Sequence, residues 1–418
     1  MKASFSHLLT KPKSFIFLSV FIVFLIGANI AWLNPRPDFC LKTNPKIPFM
    51  WQYNLDSGNE FLSAAFFPEI FKVRKTRINR PGYPFAANMI GKTIGIIPSH
   101  FYHIKKTEKA FVGYISLKLI VYLSGSLMFY SLLLHYFNKE VAVFSVLLLL
   151  FQPLSINYIA SFHTTELQFF TPIFIVFMFH TLIKKNTILN TIIFSLIVGF
   201  LMLCKQNYAV YLAVITYCIL KKEIFRSALS IIAHLVPLAL WMFVLKLLQI
   251  PFYNTEFEEY RQGIWIIEEF IFYNPFQMIQ TVVHSLHQFI ISLADYFSVF
   301  FAFAIFSFVT FIKENKKSTG LLLFVFLMFF WVWVQFFATR RYIYYMVSDL
   351  SVIILPLASY QILKILEKYK DGIFPVLILS LTLFISCLSI VQFPWVHPYK
   401  HADSLQEKLP TEVMKYNQ

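Results

Sequence analysis

Long apolar runs separated by short polar stretches repeat along almost the whole chain. They lie near 14–34, 110–137, 141–162, 167–183, 187–204, 207–220, 227–249, 287–312, 319–338, 342–366 and 373–393. A membrane helix needs ~20 mostly apolar residues, so the pattern predicts an all-α polytopic bundle of about eleven transmembrane helices. The first run follows Lys2, Lys11 and Lys13 and has small residues near its end, as a signal peptide does. Its apolar stretch exceeds the ~7–15 residues of a signal-peptide core, which predicts a retained span. Two longer polar stretches, 35–109 and 250–286, interrupt the pattern, and a tail follows from 394 to 418. Within the first of them, Phe85 to Ile97 alternates as an amphipathic helix would. No internal repeat, low-complexity tract or separable soluble domain is visible, so residues 1–418 are expected to form a single integral-membrane domain.

Composition agrees: 58% of the residues are apolar and 14% charged, which excludes a disordered or ordinary soluble chain. The net charge of +15 would suggest nucleic acid in a soluble protein. Its placement points elsewhere. Alternate short loops carry Lys139, then Lys184 and Lys185, then Lys221, Lys222 and Arg226, then Lys313, Lys316 and Lys317, then Lys368 and Lys370. Basic short loops mark the cytoplasmic side. The expected topology is a multi-pass protein of the inner or plasma membrane, with a cytoplasmic N-terminus, both long loops extracytoplasmic and an extracytoplasmic C-terminus. Membrane lipids, not nucleic acid, are the expected partners of the surplus charge. Cys204, Cys218 and Cys387 lie in apolar runs and Cys40 in a loop, so neither a disulfide framework nor a CxxC metal spacing is present.

The candidate chemistry gathers at the outer loops. Asp56 and Glu60 are four residues apart and share a face if that stretch is helical. Lys72, Arg74, Lys75, Arg77 and Arg80 follow, then Pro81-Gly82-Tyr83-Pro84. This suits a carboxylate base beside a phosphate-bearing substrate; a solvated loop with surface ion pairs is the alternative. Ser161-Phe162-His163-Thr164-Thr165-Glu166 places ionisable groups at a span boundary, where they are either interfacial or aimed into a cavity. His163 and Glu166 share a helical spacing but make only two candidate metal ligands. Lys205, Arg340 and Arg341 stand at outer span ends, where topology disfavours cations and phosphate recognition favours them. Snorkelling to lipid headgroups is their alternative reading. Lys246, Asp295 and Asp349 are charges within or beside predicted spans.

A first membrane helix, an acidic first outer loop, Arg80-Pro-Gly-Tyr-Pro84, a Thr165-Glu166 turn, Lys205, and Arg341-Tyr342 followed by Pro356 together resemble the C-type integral-membrane glycosyltransferases. That superfamily includes protein O-mannosyltransferases, the lipid A aminoarabinose transferase and bacterial enzymes that use polyprenyl-phosphate sugars. The resemblance implies inverting transfer of a sugar from a polyprenyl-phosphate donor to a hydroxyl of a lipid, glycan or protein acceptor at the extracytoplasmic face. Asp56 occupies the place of the family's usual base candidate. Many members have an acidic pair there, whereas this chain has Asp56-Ser57, and the large C-terminal domain of some relatives is not expected within residues 1–418. Under this reading Asp56 is the general base and Glu166 orients the acceptor or a metal. Lys205, Arg340 and Arg341 meet the donor phosphate, while Arg80, Tyr83, Glu60 and Tyr342 complete the substrate site. No cofactor is required, and a divalent metal is compatible with the residues. A multi-pass transporter or lipid flippase, an outer-face polysaccharide polymerase and a non-catalytic assembly subunit are the competing readings.

Overall fold

The computed structural model describes residues 11–33, 40–41, 51–52, 55–72, 75, 78–96, 105–159, 162–182, 187–272, 274–314, 319–340 and 344–368. Its described elements are helical apart from one two-residue antiparallel pairing, so the structure is the expected all-α membrane bundle. In chain order, α1 (Pro12–Leu33) precedes β1 (Cys40–Leu41) and β2 (Trp51–Gln52). Then come α2 (Leu55–Ala65), a 3₁₀ turn (Glu69–Lys72), α3 (Gly82–Ile94), α4 (Lys106–Leu133), α5 (Lys139–Leu150) and α6 (Pro153–Ile159). The chain continues through α7 (Leu167–Leu182), α8 (Ile188–Cys204), α9 (Ala209–Leu220), α10 (Ile224–Leu247), α11 (Thr255–Glu258) and α12 (Ile264–Phe272). It ends with α13 (Pro275–Phe297), α14 (Val299–Glu314), α15 (Thr319–Thr339), a 3₁₀ segment (Tyr344–Leu350) and α16 (Ser351–Lys368).

Among the described residues, 106–133, 224–247, 320–339 and 346–368 are long and apolar enough to cross a membrane alone. Shorter apolar helices of 12–17 residues, α7, α8 and α9, account for three more expected runs. At ~1.5 Å per residue they cover only part of a ~30 Å hydrocarbon layer. The expected run 141–162 is two helices, α5 and α6, with a break at Phe151-Gln152. The run 373–393 lies outside the described residues.

One expected span is corrected. Residues 287–312 do not form a straight helix: α13 and α14 meet at Ser298, whose φ of 49° breaks the hydrogen-bond ladder, and their axes differ by 106°. The sequence signal misled because α13 starts twelve residues earlier, at an Asn274 cap. Asn274 Oδ1 accepts from Phe276 N at 2.9 Å, and Pro275 supplies a preset φ at the first helical position.

The chain packs as two compact units. The first takes residues 1–126 and 150–166, and holds α1, α2, α3, α6 and most of α4. Its amphipathic helix α3 lies backbone-to-backbone on α4: a Cβ on Gly113 would sit 2.0 Å from Ala87 O, and one on Gly91 would sit 2.0 Å from Lys109 O. Only glycine permits that approach. Asn88 adds a 2.6 Å hydrogen bond from its side chain to Ala64 O, tying α3 to α2. The second unit takes 127–149 and 167–382. Its tightest crossing places Gly199 of α8 against α10, where an added Cβ would meet His234 O at 2.2 Å. Ser230 hydrogen-bonds to both Ser195 and Tyr211 beside it, so small and hydroxyl side chains hold these helices where apolar burial alone gives little in lipid.

Candidate active site

The stretch with the paired acids is helical, the condition under which their four-residue spacing puts them on one face. Asp56 stands in the first turn of α2 and Glu60 one turn later. The side chain of Asp56 lies outside the described residues. Glu60 is buried, with 2% of its surface exposed, and accepts from Thr164 Oγ1 at 3.3 Å. Its backbone carbonyl accepts from Tyr114 Oη at 2.9 Å. Glu60 is thus part of a buried joint between α2 and the 162–166 turn.

Glu166 is enclosed completely. Lys118 Nζ lies 2.6 Å from its Oε2, and Tyr83 Oη donates to its Oε1 at 2.7 Å. Lys118 is 1% exposed and also donates to the carbonyls of Tyr158, at 2.9 Å, and His163. Its three N–H bonds therefore match three acceptors, as a buried ammonium requires. Phe162 sits among the rings of Phe61, Phe111 and Tyr114, with centroids 4.6, 5.8 and 5.5 Å away. The turn that reads from sequence as an interfacial or cavity-facing site is instead clamped from both sides. Tyr83, expected at the substrate, serves as a donor inside this lock. Burial first, and then the neighbouring Glu166 carboxylate, hold its phenol well above the ordinary tyrosine range. Arg80 is half-buried at the approach to α3.

Both oxygens of Glu166 are engaged, and His163 Nδ1 is in hydrogen-bond contact with Thr165 Oγ1. Among the described residues, no three His, Cys, Asp or Glu side chains gather as a metal centre.

The second unit carries its own polar cluster. Lys205 caps the C-terminus of α8 in an extended conformation and is 8% exposed, close enough to Asp349 for their charges to interact. Asp349 Oδ1 accepts from Gln168 Nε2 at 2.7 Å and Asn207 Nδ2 at 2.6 Å. Gln335 of α15 completes the ring: its Nε2 donates to Asn207 Oδ1 at 3.3 Å, and its Oε1 accepts from Ala209 N at 2.9 Å. Asp349 Oδ2 is buried with no hydrogen-bond partner in the structure. Lys205 is therefore buried at its span end and is not a lipid-facing snorkel.

Arg340 follows α15 with φ 53°. Its guanidinium is 51% exposed, pairs with Glu269 at 2.7 Å and lies 4.7 Å from the centroid of the Trp265 ring. Trp265 Nε1 and Gly263 N both donate to Ala338 O, at 2.9 and 3.0 Å. Arg340 thereby fastens the 250–286 stretch to the end of α15. Arg341 and Tyr342 lie outside the described residues.

Sequence reasoning passed over Lys118, Gln168, Asn207 and Gln335. Lys118 had a usable signal, since a single cation in the middle of a 28-residue apolar helix needs a buried partner. The three amides had none, because Asn and Gln at helix ends are common and only the fold shows that they converge.

Residues 102–247 match the family model of dolichyl-phosphate-mannose-protein mannosyltransferases, which agrees with the C-type glycosyltransferase resemblance and supports a membrane glycosyltransferase. The matched stretch contains Lys118, Glu166 and Lys205. No curated protein matches the chain closely enough to count as a relative.

Proposed function

We propose that this membrane glycosyltransferase moves a sugar from a polyprenyl-phosphate donor to a hydroxyl of a lipid, glycan or protein acceptor at the extracytoplasmic face, with inversion. The observation that carries the reading is the family match over 102–247, which spans the Lys118–Glu166 lock and Lys205. A lipid-phosphate donor already has a good leaving group. The enzyme must supply one carboxylate to take the acceptor proton and cations to stabilise the departing phosphate.

Asp56 is the base. It stands in the first turn of a helix, where unpaired N–H groups favour an anion. Glu166 is a positioning residue: with both oxygens committed, it holds the 162–166 turn and α3 in place and does not touch substrate. Lys205, Arg340 and Arg341 meet the phosphate, and Asp349 with its amide partners fixes the ammonium of Lys205. The basic short loops, cytoplasmic by their charge, put the long loops outside.

The test is reconstitution in liposomes with a radiolabelled polyprenyl-phosphate sugar and a membrane lysate as acceptor. Wild type should consume donor and label an acceptor. Asp56→Asn should lower turnover ~100 to 10,000-fold with donor binding retained. Movement of label across the bilayer without consumption of donor would replace this reading with transport.

A further inference from the structure

The second unit contains a cavity of about 660 Å³ among α4, α7, α9, α14, α15 and α16. Phe179, Phe308, Phe324, Val325, Ile353 and Leu357 line its interior. Its mouth is polar: His135, Tyr136, His180, Tyr217, Glu223 and Arg226. The His135 and His180 rings meet edge to face with centroids 4.5 Å apart, and Tyr136 Oη lies 3.3 Å from His180 Nδ1. Lys221 stands over the same opening, with its Nζ 5.7 Å from the Tyr217 ring centroid and 4.0 Å from where a Cβ on Gly320 would be.

Two facts identify what fits. Among the described residues the charges at the mouth do not cancel: Arg226 is neutralised by Glu223 at 2.7 Å, while Lys221, over the Tyr217 ring, is a surplus cation at the opening that His135 and His180 also line. An occupant with one negative charge complements it. The polar mouth is also at the far end of the helices from the Lys205–Asp349 cluster, while the apolar depth reaches Val352, three residues after Asp349. In α7, α9 and α15 the cluster residues Gln168, Ala209 and Gln335 lie near one terminus, and His180, Tyr217 and Gly320 near the other. Eight to fifteen residues separate the members of each pair along one helix, roughly 12–22 Å at the α-helical rise.

We infer that this cavity is a second lipid site, which takes one acyl chain of an anionic phospholipid with the phosphate at Lys221, His135 and His180. The apolar depth suits a hydrocarbon chain, the surrounding solvent supplies such chains, and the surplus positive charge selects the headgroup. The flanking Lys139, Lys222 and Lys368 place the mouth at the basic, cytoplasmic-type end, where anionic headgroups concentrate. Its headgroup end is separate from the proposed donor cation Lys205, and the site does not depend on the glycosyltransferase reading.

The test uses full-length protein, delipidated and returned to nanodiscs of phosphatidylcholine with a fixed minor fraction of phosphatidylglycerol or of phosphatidylethanolamine. Each minor lipid bears one diazirine acyl chain, and labelled peptides are mapped by mass spectrometry. Phosphatidylglycerol should label α7, α15 and α16 about fivefold more than phosphatidylethanolamine, as expected for one productive cation. Lys221→Gln should abolish that preference while labelling itself persists. Val325→Trp or Val176→Trp, each filling the cavity, should remove the labelling. Two filling positions and a thermal melt separate a filled cavity from a misfolded one. Equal labelling in folded wild-type and filled proteins would overturn the site. Equal labelling by both phospholipids would overturn the headgroup assignment, and so would protection by inorganic phosphate alone. Displacement by polyprenyl phosphate, but not by excess phosphatidylglycerol, would assign the cavity to the donor's tail instead.

Discussion

Replacing Lys118 with Met tests the buried lock directly. The change keeps length and shape, removes the ammonium, and leaves Glu166 enclosed without its counter-charge. Two unit charges 2.6 Å apart attract by roughly 6 kcal/mol at an effective dielectric of ~20. Most of that is offset by the cost of taking both ions out of water, so the gross figure is not the expected loss. Breaking a buried pair from one side typically costs ~3–5 kcal/mol, because the remaining charge is stranded. The upper end applies here, since the carbonyls of Tyr158 and His163 lose the same donor. The assay is equilibrium unfolding by SDS titration in mixed micelles, with Lys118→Met, Glu166→Gln and the double variant in one cycle. The double variant should recover part of the loss, giving a coupling of about 2 kcal/mol or more. Additivity within ~0.5 kcal/mol would show that the pair does not act as a pair and would refute the lock.

Three further outcomes follow from the geometry. The phenol of Tyr83 is raised above its ordinary value of 10.0, so the folded state holds that proton more tightly than the unfolded chain; the stability it adds is full below pH ~10 and is lost as pH rises beyond it. Alkaline unfolding of wild type minus that of Tyr83→Phe should show that loss, and parallel curves would contradict it. Arg340→Lys keeps the charge but loses the planar fork that serves Glu269 and Trp265 together; it should cost about 1 kcal/mol and speed proteolysis between 255 and 263, and unchanged cleavage there would contradict the clasp. Gly113→Ala drives a methyl into Ala87 O and should cost ~1–3 kcal/mol, whereas Gly320→Ala meets only the Tyr217 hydroxyl at 3.1 Å and should be mild. Thermal melts of the two side by side decide the matter.

The helices were readable because hydrophobicity is a local signal and these runs are long. Helix α2 around Asp56 and Glu60 and helix α3 after Pro81 also followed from spacing and from turn chemistry. The break at Ser298 was not readable: its neighbours are apolar, and a positive φ at serine carries no sequence mark. Site residues divided along a physical line. Lys205 and Arg340 stood out because topology disfavours cations where they are, and both turn out to be engaged with other parts of the fold. Glu166 and Tyr83 were legible as polar residues in an unusual place, but not as partners 83 positions apart. Sequence spacing shows neighbours on one helix, and a lock between loop, helix and turn is outside its reach.

The bend at Ser298 sets more than the path of the chain. With α14 upright in the bilayer, a 106° turn lays α13 close to the membrane plane. Its circumference divides into three arcs. Phe276, Ile279, Val283, Leu286 and Ile290 form an exposed apolar row, Gln277, Gln280, His284 and His287 a polar row, and Met278, Ser285, Phe289 and Leu293 the buried row. A helix so divided floats at one depth, with its apolar row in the acyl region and its polar row in the headgroups. A helix lying so would act as a waterline, tying the depth of the 250–274 stretch that leads into it to the lipid surface.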